Sequence, residues 1–251
     1  MAHQHIVSSF GEELDQLRAE VVQMGGVAEA QVAAAVTAVA KRDAAMAKQV
    51  VEGDRKLDEL QADIERKALR LIALRQPMAA DLRRTVAALK ISLSLERVGD
   101  MAKGICKRFN QLDAGDSMTS LTRSFERMGK LVGARLKEVL DAYSRGETEG
   151  LLNVWRHDDE VDQHYESLFR ELLTYMMGDP RTIGAGAHLL FMAKNLERIG
   201  DHATNIAETT YFVLTGTALQ GDRPKGDTTS FSVITPEDNG GATAAINGET
   251  A

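Results

Sequence analysis

The sequence predicts an all-α protein built from two similar three-helix units. Apolar residues recur at helical spacing over long stretches of the chain. Only 4 Pro and 5% aromatic residues are present, which favours helices over an all-β fold. The second half repeats the pattern of the first at an offset of 104 residues. We therefore expect two tandem three-helix bundles, related by internal duplication and packed as one body, since each is small alone.

Composition limits the possible partners and location. A charge of −7 argues against nucleic acid as a partner and favours cations. The single Cys106 cannot form an internal disulfide, and the N-terminus lacks the basic start and apolar core of a signal peptide. Charged residues interrupt every stretch that approaches the roughly 20 apolar residues of a membrane span. We expect a cytoplasmic protein without direct membrane insertion.

The first unit contains three predicted helices. The first runs from about Ile6 to Ala40. The second follows an N-cap at Asp43 and ends before Arg75-Gln76-Pro77, because proline cannot continue the helix. The third extends from Asp81 to about Asn110. Its helical period is marked by the apolar residues Leu82, Val86, Leu89, Leu93, Val98 and Ile105.

The duplication sets the domain boundaries. We assign residues 1–112 to the first repeat, 113–117 to a linker and 118–215 to the second repeat. Residues 216–251 are rich in Gly and Thr and show no helical period, so we expect a largely disordered tail.

One phrase occurs in both units, as Leu95-Glu96-Arg97-Val98-Gly99-Asp100 and Leu196-Glu197-Arg198-Ile199-Gly200-Asp201. Residues i and i+4 share a helix face, so each copy places a Glu beside an Asp. On a helical wheel these carboxylates occupy a sector apart from the apolar and basic faces. Like charges at this spacing repel, and a bound cation would relieve the repulsion.

The duplication reveals a second carboxylate pair in each unit, Asp54 with Asp58 and Asp158 with Asp162. In each unit, this pair precedes a proline and the Glu and Asp of the phrase follow it. The midpoint between the two pairs falls at Pro77 in the first unit and beside Pro180 in the second. If the proline marks the turn of an antiparallel hairpin, both pairs stand at the same height on neighbouring helices. Four carboxylates are then expected to converge in each unit.

Oxygen ligands without His or Cys suit hard cations such as magnesium, calcium, manganese or iron, without excluding zinc. Asn205 and Glu208 would add oxygens to the second site, whereas the first unit has Gly104 and Lys107 there, so the sites need not be equal. One such pair alone is more simply explained as a solvated helix face. Four pairs in duplicate register favour a site.

Several motifs together resemble the PhoU family of bacterial regulators of phosphate-specific transport. They are the duplicated Glu-Arg-(Val/Ile)-Gly-Asp phrase, Arg75-Gln76-Pro77 before Asp81-Leu82-Arg83, the ending Asn205-Ile206-Ala207-Glu208, and Met24-Gly25 in the first helix. The resemblance covers about residues 3 to 215. This chain departs from the family pattern at Ser94 and at Lys103-Gly104, both in the first unit.

The resemblance implies a homodimer that restrains uptake through the phosphate ABC transporter ATPase and holds the phosphate-sensing histidine kinase in its non-activating state. It also implies metal clusters of uncertain identity (iron, manganese, magnesium or zinc). The implied ligands are Asp54, Asp58, Glu96, Asp100, Asp158, Asp162, Glu197 and Asp201.

Two other functions stay open at this point. A ferritin-like di-metal enzyme would use Glu-x-x-His motifs, and none of the six His has a Glu three residues before it. No nucleophile with an adjacent base is evident, so we expect a protein that is not an enzyme. A metal-free helical adaptor would require the carboxylate faces to be plain surface.

Overall fold

A computed structural model describes residues 2–112 and 119–221. Within these ranges the chain forms eight α-helices and one short 3-10 turn, Pro180–Thr182. The helices are α1 (Ala2–Lys41), α2 (Ala44–Gly53), α3 (Arg55–Arg75), α4 (Ala79–Phe109), α5 (Thr119–Arg145), α6 (Glu149–Arg156), α7 (Asp159–Gly178) and α8 (Ile183–Thr215). The predicted all-α class is confirmed.

The eight helices reduce to two units of three long helices, because α2 with α3 and α6 with α7 are each one helix with a local break. The first break is a single residue, Asp54, whose backbone stays in the right-handed helical region at φ −59° and ψ −35°. The second break lies at His157 and Asp158. A break at this point of each unit was not predicted from the periodicity.

Predicted helix ends agree with the structure to within a few residues. The Asp43 side chain accepts a hydrogen bond from the Met46 amide at 2.9 Å, as an N-cap should. Gln76 takes a left-handed conformation at φ 48° and ends α3, directly before Pro77. Gly216, at φ 77°, ends α8 in the same way.

The two units pack into one body around a continuous apolar core. α4 lies along α8, and α1 contacts both α4 and α5, so helices of both units enclose the same interior. The largest side chains that are almost fully buried are Phe125, Leu17, Met24, Leu57, Ile64, Ile91, Leu95, Ile105, Leu121, Met128, Leu136 and Leu151. The expectation of a single packed body is therefore confirmed.

The repeated Met-Gly dipeptide marks where α1 and α5 approach each other. A Cβ on Gly25 would lie 2.7 Å from Cδ2 of Leu140, and one on Gly129 would lie 2.5 Å from Cγ2 of Val36. Val36 and Leu140 are themselves equivalent positions, 104 residues apart. The two contacts are thus related by the pseudo-symmetry of the duplication, and glycine permits the close approach in each.

One helix of the described chain, Phe10–Lys41, is long and apolar enough to cross a membrane by length and composition alone. The expectation that no stretch comes near this threshold is therefore wrong. Half of its most apolar window is buried inside the protein, and Val21, Met24 and Ala28 are fully enclosed. This helix serves as a core helix of the bundle.

Two of the apolar residues that mark the period of α4 lie outside the core. Leu82 and Leu93 are 39% and 50% exposed, because the buried face of α4 runs through Ala88, Ile91 and Leu95, the apolar sector of the helical wheel. The predicted linker, 113–117, and residues 222–251 of the predicted tail lie outside the described residues. The domain boundaries accordingly stay predictions.

Candidate metal centres

The helix break places the first carboxylate pair of each unit at the start of a helix. Asp54 is the N-cap residue of α3 and Asp58 lies in its first turn. Asp158 and Asp162 hold the same positions on α7. Helix N-termini favour negative charge, which offsets part of the repulsion within each pair. Neither N-cap side chain bonds its own helix, so both carboxylates turn to the neighbouring helix.

Gly99 of the repeated phrase allows α3 to approach α4 closely. A Cβ at this position would lie 2.3 Å from Cδ1 of Leu57 and 3.1 Å from Oδ1 of Asp54. Oε1 of Gln31, from α1, is 3.2 Å from the same point. The glycine thus brings Asp54 against the helix that carries Glu96 and Asp100.

The first site contains an ammonium group. Lys103 Nζ lies 2.5 Å from Oδ2 of Asp54 and 3.1 Å from Oδ1 of Asp100, and so joins α4 to the start of α3. Asp54 is buried, with only 3% of its side chain exposed. Arg97 lies farther out, 3.5 Å from Glu96 and 3.8 Å from Asp100.

In the first unit, the charges of the other three predicted ligands act on Glu96. Burial raises the pKa of Glu96, and the negative charges of Asp100, Asp58 and Asp54 raise it further, against the opposing effect of Arg97. Oε2 of Glu96 is buried and accepts no hydrogen bond within the described part of the chain. Such an oxygen is available to a cation.

The second site has the same backbone and different cationic and polar partners. The Thr204 hydroxyl donates to Oδ1 of Asp158 at 2.6 Å, and both residues are buried. Lys194 Nζ donates to Oε1 of Glu197 at 3.1 Å. The same ammonium lies 4.8 Å from the centre of the Tyr165 ring.

Glu197 is more enclosed than its counterpart Glu96. Only 7% of its side chain is exposed, against 21% for Glu96. Burial raises the pKa of Glu197 to about 7, Lys194 lowers it, and Asp201 and Asp162 raise it again. Its Oε2 is buried without a hydrogen-bond partner among the described residues.

Sequence reasoning missed the polar partners of both sites, namely Lys103, Thr204 and Lys194. A signal existed: Lys103 lies three residues after Asp100, Lys194 lies three residues before Glu197, and these spacings bring side chains together on a helix. Asn205 and Glu208 were considered as extra ligands. Glu208 accepts a hydrogen bond from Nε1 of Trp155 at 3.2 Å.

The donor chemistry fits a hard cation, although the side chains do not form a coordination shell. Within residues 2–112 and 119–221, no group of three or more His, Cys, Asp or Glu is arranged to hold a metal ion. The negative charges of neighbouring predicted ligands nevertheless act on Glu96 and Glu197, and each of these glutamates has a buried Oε2 that accepts no hydrogen bond among the described residues. The eight predicted ligands therefore stay a prediction.

Comparison with known proteins identifies the fold and the duplication. The family model described as the PhoU domain matches residues 21–109 and again 125–210. The chain belongs to the PhoU family. The two matches cover the two three-helix units, so the predicted repeats are confirmed as PhoU domains.

Individual PhoU proteins resemble the whole helical part of the chain. A "phosphate-specific transport system accessory protein PhoU homolog" of Caulobacter vibrioides is 64% identical over 227 residues, covering 90% of this chain and 99% of its own. PhoU of Escherichia coli K12 is 38% identical over 218 residues, covering 85% and 88%. The crystal structure of PhoU from Pseudomonas aeruginosa superposes with a TM-score of 0.80 at 38% identity, covering 83% and 100%.

Membership in the family resolves one of the open alternatives. PhoU proteins are accessory proteins and not enzymes, so the ferritin-like di-metal enzyme is set aside. The expectation of a non-enzymatic protein is confirmed on this ground.

Proposed function

We propose that this protein is a cytoplasmic negative regulator of phosphate uptake and of the phosphate-starvation response. It acts by contact with the ATPase of the phosphate ABC transporter and with the phosphate-sensing histidine kinase, as a homodimer. The observation that carries this proposal is the 64% identity to an accessory protein of the phosphate-specific transport system, over 99% of that protein's length.

The physical character of the chain supports action by protein contact. Its acidic net charge disfavours binding to nucleic acid and to anionic lipid surfaces. Among the described residues, the one helix apolar enough for a membrane is built into the core, so a link to the transporter runs through a protein partner.

A deletion strain tests the regulatory proposal. Without the protein, we expect high expression of phosphate-scavenging genes in phosphate-rich medium and excess phosphate uptake. Complementation with the full chain restores repression. Unchanged expression and uptake in the deletion strain contradict the proposal.

A binding assay tests the partners separately. Purified transporter ATPase and the cytoplasmic part of the kinase should each be retained by immobilised full-length protein. A second helical protein of similar size and charge serves as the control. Retention of neither partner above this control contradicts the contact mechanism, even if the deletion phenotype appears.

We further propose that each carboxylate site binds a hard cation. The ligands are Asp54, Asp58, Glu96 and Asp100 in the first unit and Asp158, Asp162, Glu197 and Asp201 in the second. When bound, the cation supplies positive charge that cancels carboxylate repulsion. The buried Oε2 atoms of Glu96 and Glu197, which accept no hydrogen bond among the described residues, support this assignment.

Metal analysis separates this proposal from a metal-free adaptor. We expect the purified protein to retain metal ions, and replacement of Glu96, Asp100, Glu197 and Asp201 by Ala to remove them. Absence of metal above background, with no effect of the four replacements, contradicts the metal sites. The regulatory role would then belong to a metal-free helical adaptor.

A further inference from the structure

Each carboxylate site contains a lysine that already supplies positive charge. In the first unit, the Lys103 ammonium contacts Asp54 and Asp100, which lie on different helices. In the second unit, the Lys194 ammonium contacts Glu197. All three carboxylates belong to the proposed ligand sets, so an ammonium group and a metal ion would share the same carboxylates, although Lys194 contacts Oε1 of Glu197 and leaves Oε2 without a hydrogen bond.

The two lysines are not equivalent positions of the duplication. At the 101-residue offset of the last helices, Lys103 corresponds to Thr204 and Lys194 corresponds to Leu93. The two ammonium groups therefore reach their sites from different positions, three residues after Asp100 in the first unit and three residues before Glu197 in the second. Thr204 therefore shows that the backbone accepts an uncharged residue at the position of Lys103, and Leu93 shows the same for the position of Lys194.

An ammonium and a metal ion on the same carboxylate compete for its negative charge. Lys103 Nζ lies 2.5 Å from Oδ2 of Asp54, and a hard cation needs carboxylate oxygens at about 2.0–2.6 Å. Two positive centres on this carboxylate would repel each other in a partly buried site, which disfavours the presence of both.

We propose that Lys103 and Lys194 are the resident cations of the two sites in the metal-free protein, and that an incoming metal ion displaces them. This inference rests on the metal sites proposed above. The lysines neutralise the carboxylates when metal is absent, so the packing of α3 on α4 and of α7 on α8 persists in both states. They also weaken metal binding, because the ion pairs must break first.

Mn²⁺ titration followed by electron paramagnetic resonance tests the displacement, since free Mn²⁺ is measured directly. The variants exchange each lysine for the residue of the other unit, Lys103→Thr and Lys194→Leu. Lys90 of the same helix as Lys103 is exposed, so Lys90→Thr and Lys90→Leu are matched controls. We expect each site variant to bind Mn²⁺ at least about tenfold more tightly than its control.

Site specificity provides an internal check. The tighter binding in Lys103→Thr should disappear on adding Asp100→Asn, and should persist on adding Asp201→Asn. The tighter binding in Lys194→Leu should disappear on adding Asp201→Asn and should persist on adding Asp100→Asn. Tightening that ignores these second changes would reflect net charge alone and would overturn the inference.

A metal-free measurement tests the resident-cation role without relying on Mn²⁺ binding. In the presence of a chelator, Lys103→Thr should lower the Tm by about 3 °C relative to Lys90→Thr, because Asp54 loses its buried ion pair. Added Mn²⁺ should restore the Tm of Lys103→Thr.

The outcomes separate this inference from the metal proposal. Wild-type binding of Mn²⁺ with no tightening in either lysine variant overturns the inference and leaves the metal sites standing. No Mn²⁺ binding by any variant overturns displacement together with the metal sites. A Tm of Lys103→Thr equal to that of its control overturns the resident-cation role in the first site, whatever Mn²⁺ does.

Discussion

Asp54 and Asp158 stand at the same helix break in their respective units, yet Asp54 is bonded to an ammonium and Asp158 to a hydroxyl. The surroundings differ as well. Asp58 is exposed, whereas its counterpart Asp162 is only 6% exposed. The duplication has therefore kept the backbone of the site and changed its counter-charge and its access to water.

This difference shows that backbone and electrostatics vary independently. In both units a helix break and a glycine bring the carboxylates together. The degree of burial then decides how strongly the carboxylates disturb each other, because water screens an exposed pair and not a buried one. Glu197, the more enclosed glutamate, accordingly has its pKa raised to about 7.

The largest effect is expected from neutralising Glu197. Its pKa is raised from 4.5 to about 7, so the folded protein holds a proton that the unfolded chain has already lost in this window. Stability of the metal-free protein therefore falls as the pH rises from 4.5 to about 7. Glu197→Gln should raise the free energy of unfolding by about 3 kcal/mol near pH 8 and by little near pH 4.

Urea unfolding in the presence of a chelator measures this effect. Glu96→Gln is the matched variant of the first unit. It should raise the free energy of unfolding by less, because the Glu96 side chain is three times as exposed as that of Glu197, 21% against 7%. Equal gains in both units, or a gain that does not depend on pH, would contradict the difference in burial.

The phrase glycines should differ in tolerance. A Cβ on Gly99 would lie 2.3 Å from Cδ1 of the buried Leu57, whereas one on Gly200 would lie 3.2 Å from Cγ1 of Val161. Gly99→Ala should therefore destabilise the protein by about 2 kcal/mol through overpacking. Gly200→Ala should be nearly neutral, since alanine gains about 1 kcal/mol in helix propensity. Thermal unfolding compares the two, and equal losses would refute the closer packing of the first unit.

The hydroxyl of Thr204 should contribute measurably to the second site. Thr204→Val keeps the shape and removes the 2.6 Å hydrogen bond to the buried Asp158, which should cost about 1.5 kcal/mol in metal-free protein. Thr210→Val is the control, because the buried Thr210 hydroxyl donates to the backbone carbonyl of Ile206. A loss no greater than that of the control would mean that Asp158 does not depend on Thr204.

The smallest effect concerns the start of the broken helix in each unit. Asp43 caps α2 through the Met46 amide, whereas Thr148, the N-cap of α6, makes no side-chain cap bond. Asp43→Ala should lower the free energy of unfolding by about 1 kcal/mol. Thr148→Ala should lower it by no more than a few tenths of this amount, because no cap bond is lost. Circular dichroism during denaturant unfolding measures both, and a larger loss at Thr148 would reverse the comparison.

Periodicity and spacing predicted most of the fold and the carboxylates of the sites. Apolar spacing located the long helices, and Asp43 and Gln76-Pro77 marked their ends correctly. The equal distance of both carboxylate pairs from Pro77 predicted their convergence, and the charges of Asp100, Asp58 and Asp54 do act on Glu96. These features depend on backbone geometry over a few turns, and such geometry repeats with the sequence.

The partners of individual polar side chains were beyond the sequence. Leu93 has helical spacing and is exposed, while Lys194, at the equivalent position, reaches Glu197. The path of Lys103 to Asp54 depends on the break before α3 and on the distance that Gly99 permits. A flexible lysine side chain can reach several carboxylates, and the packing of the helices decides which of them it contacts.

The sequence by itself therefore determined which residues form the two units, and it predicted which carboxylates each site contains. The tertiary structure decided which ammonium or hydroxyl balances each carboxylate and how much water reaches it. Local periodicity encodes the first, because helix geometry is set within a few residues. The second depends on contacts between residues far apart in the chain, such as Lys103 with Asp54 and Thr204 with Asp158.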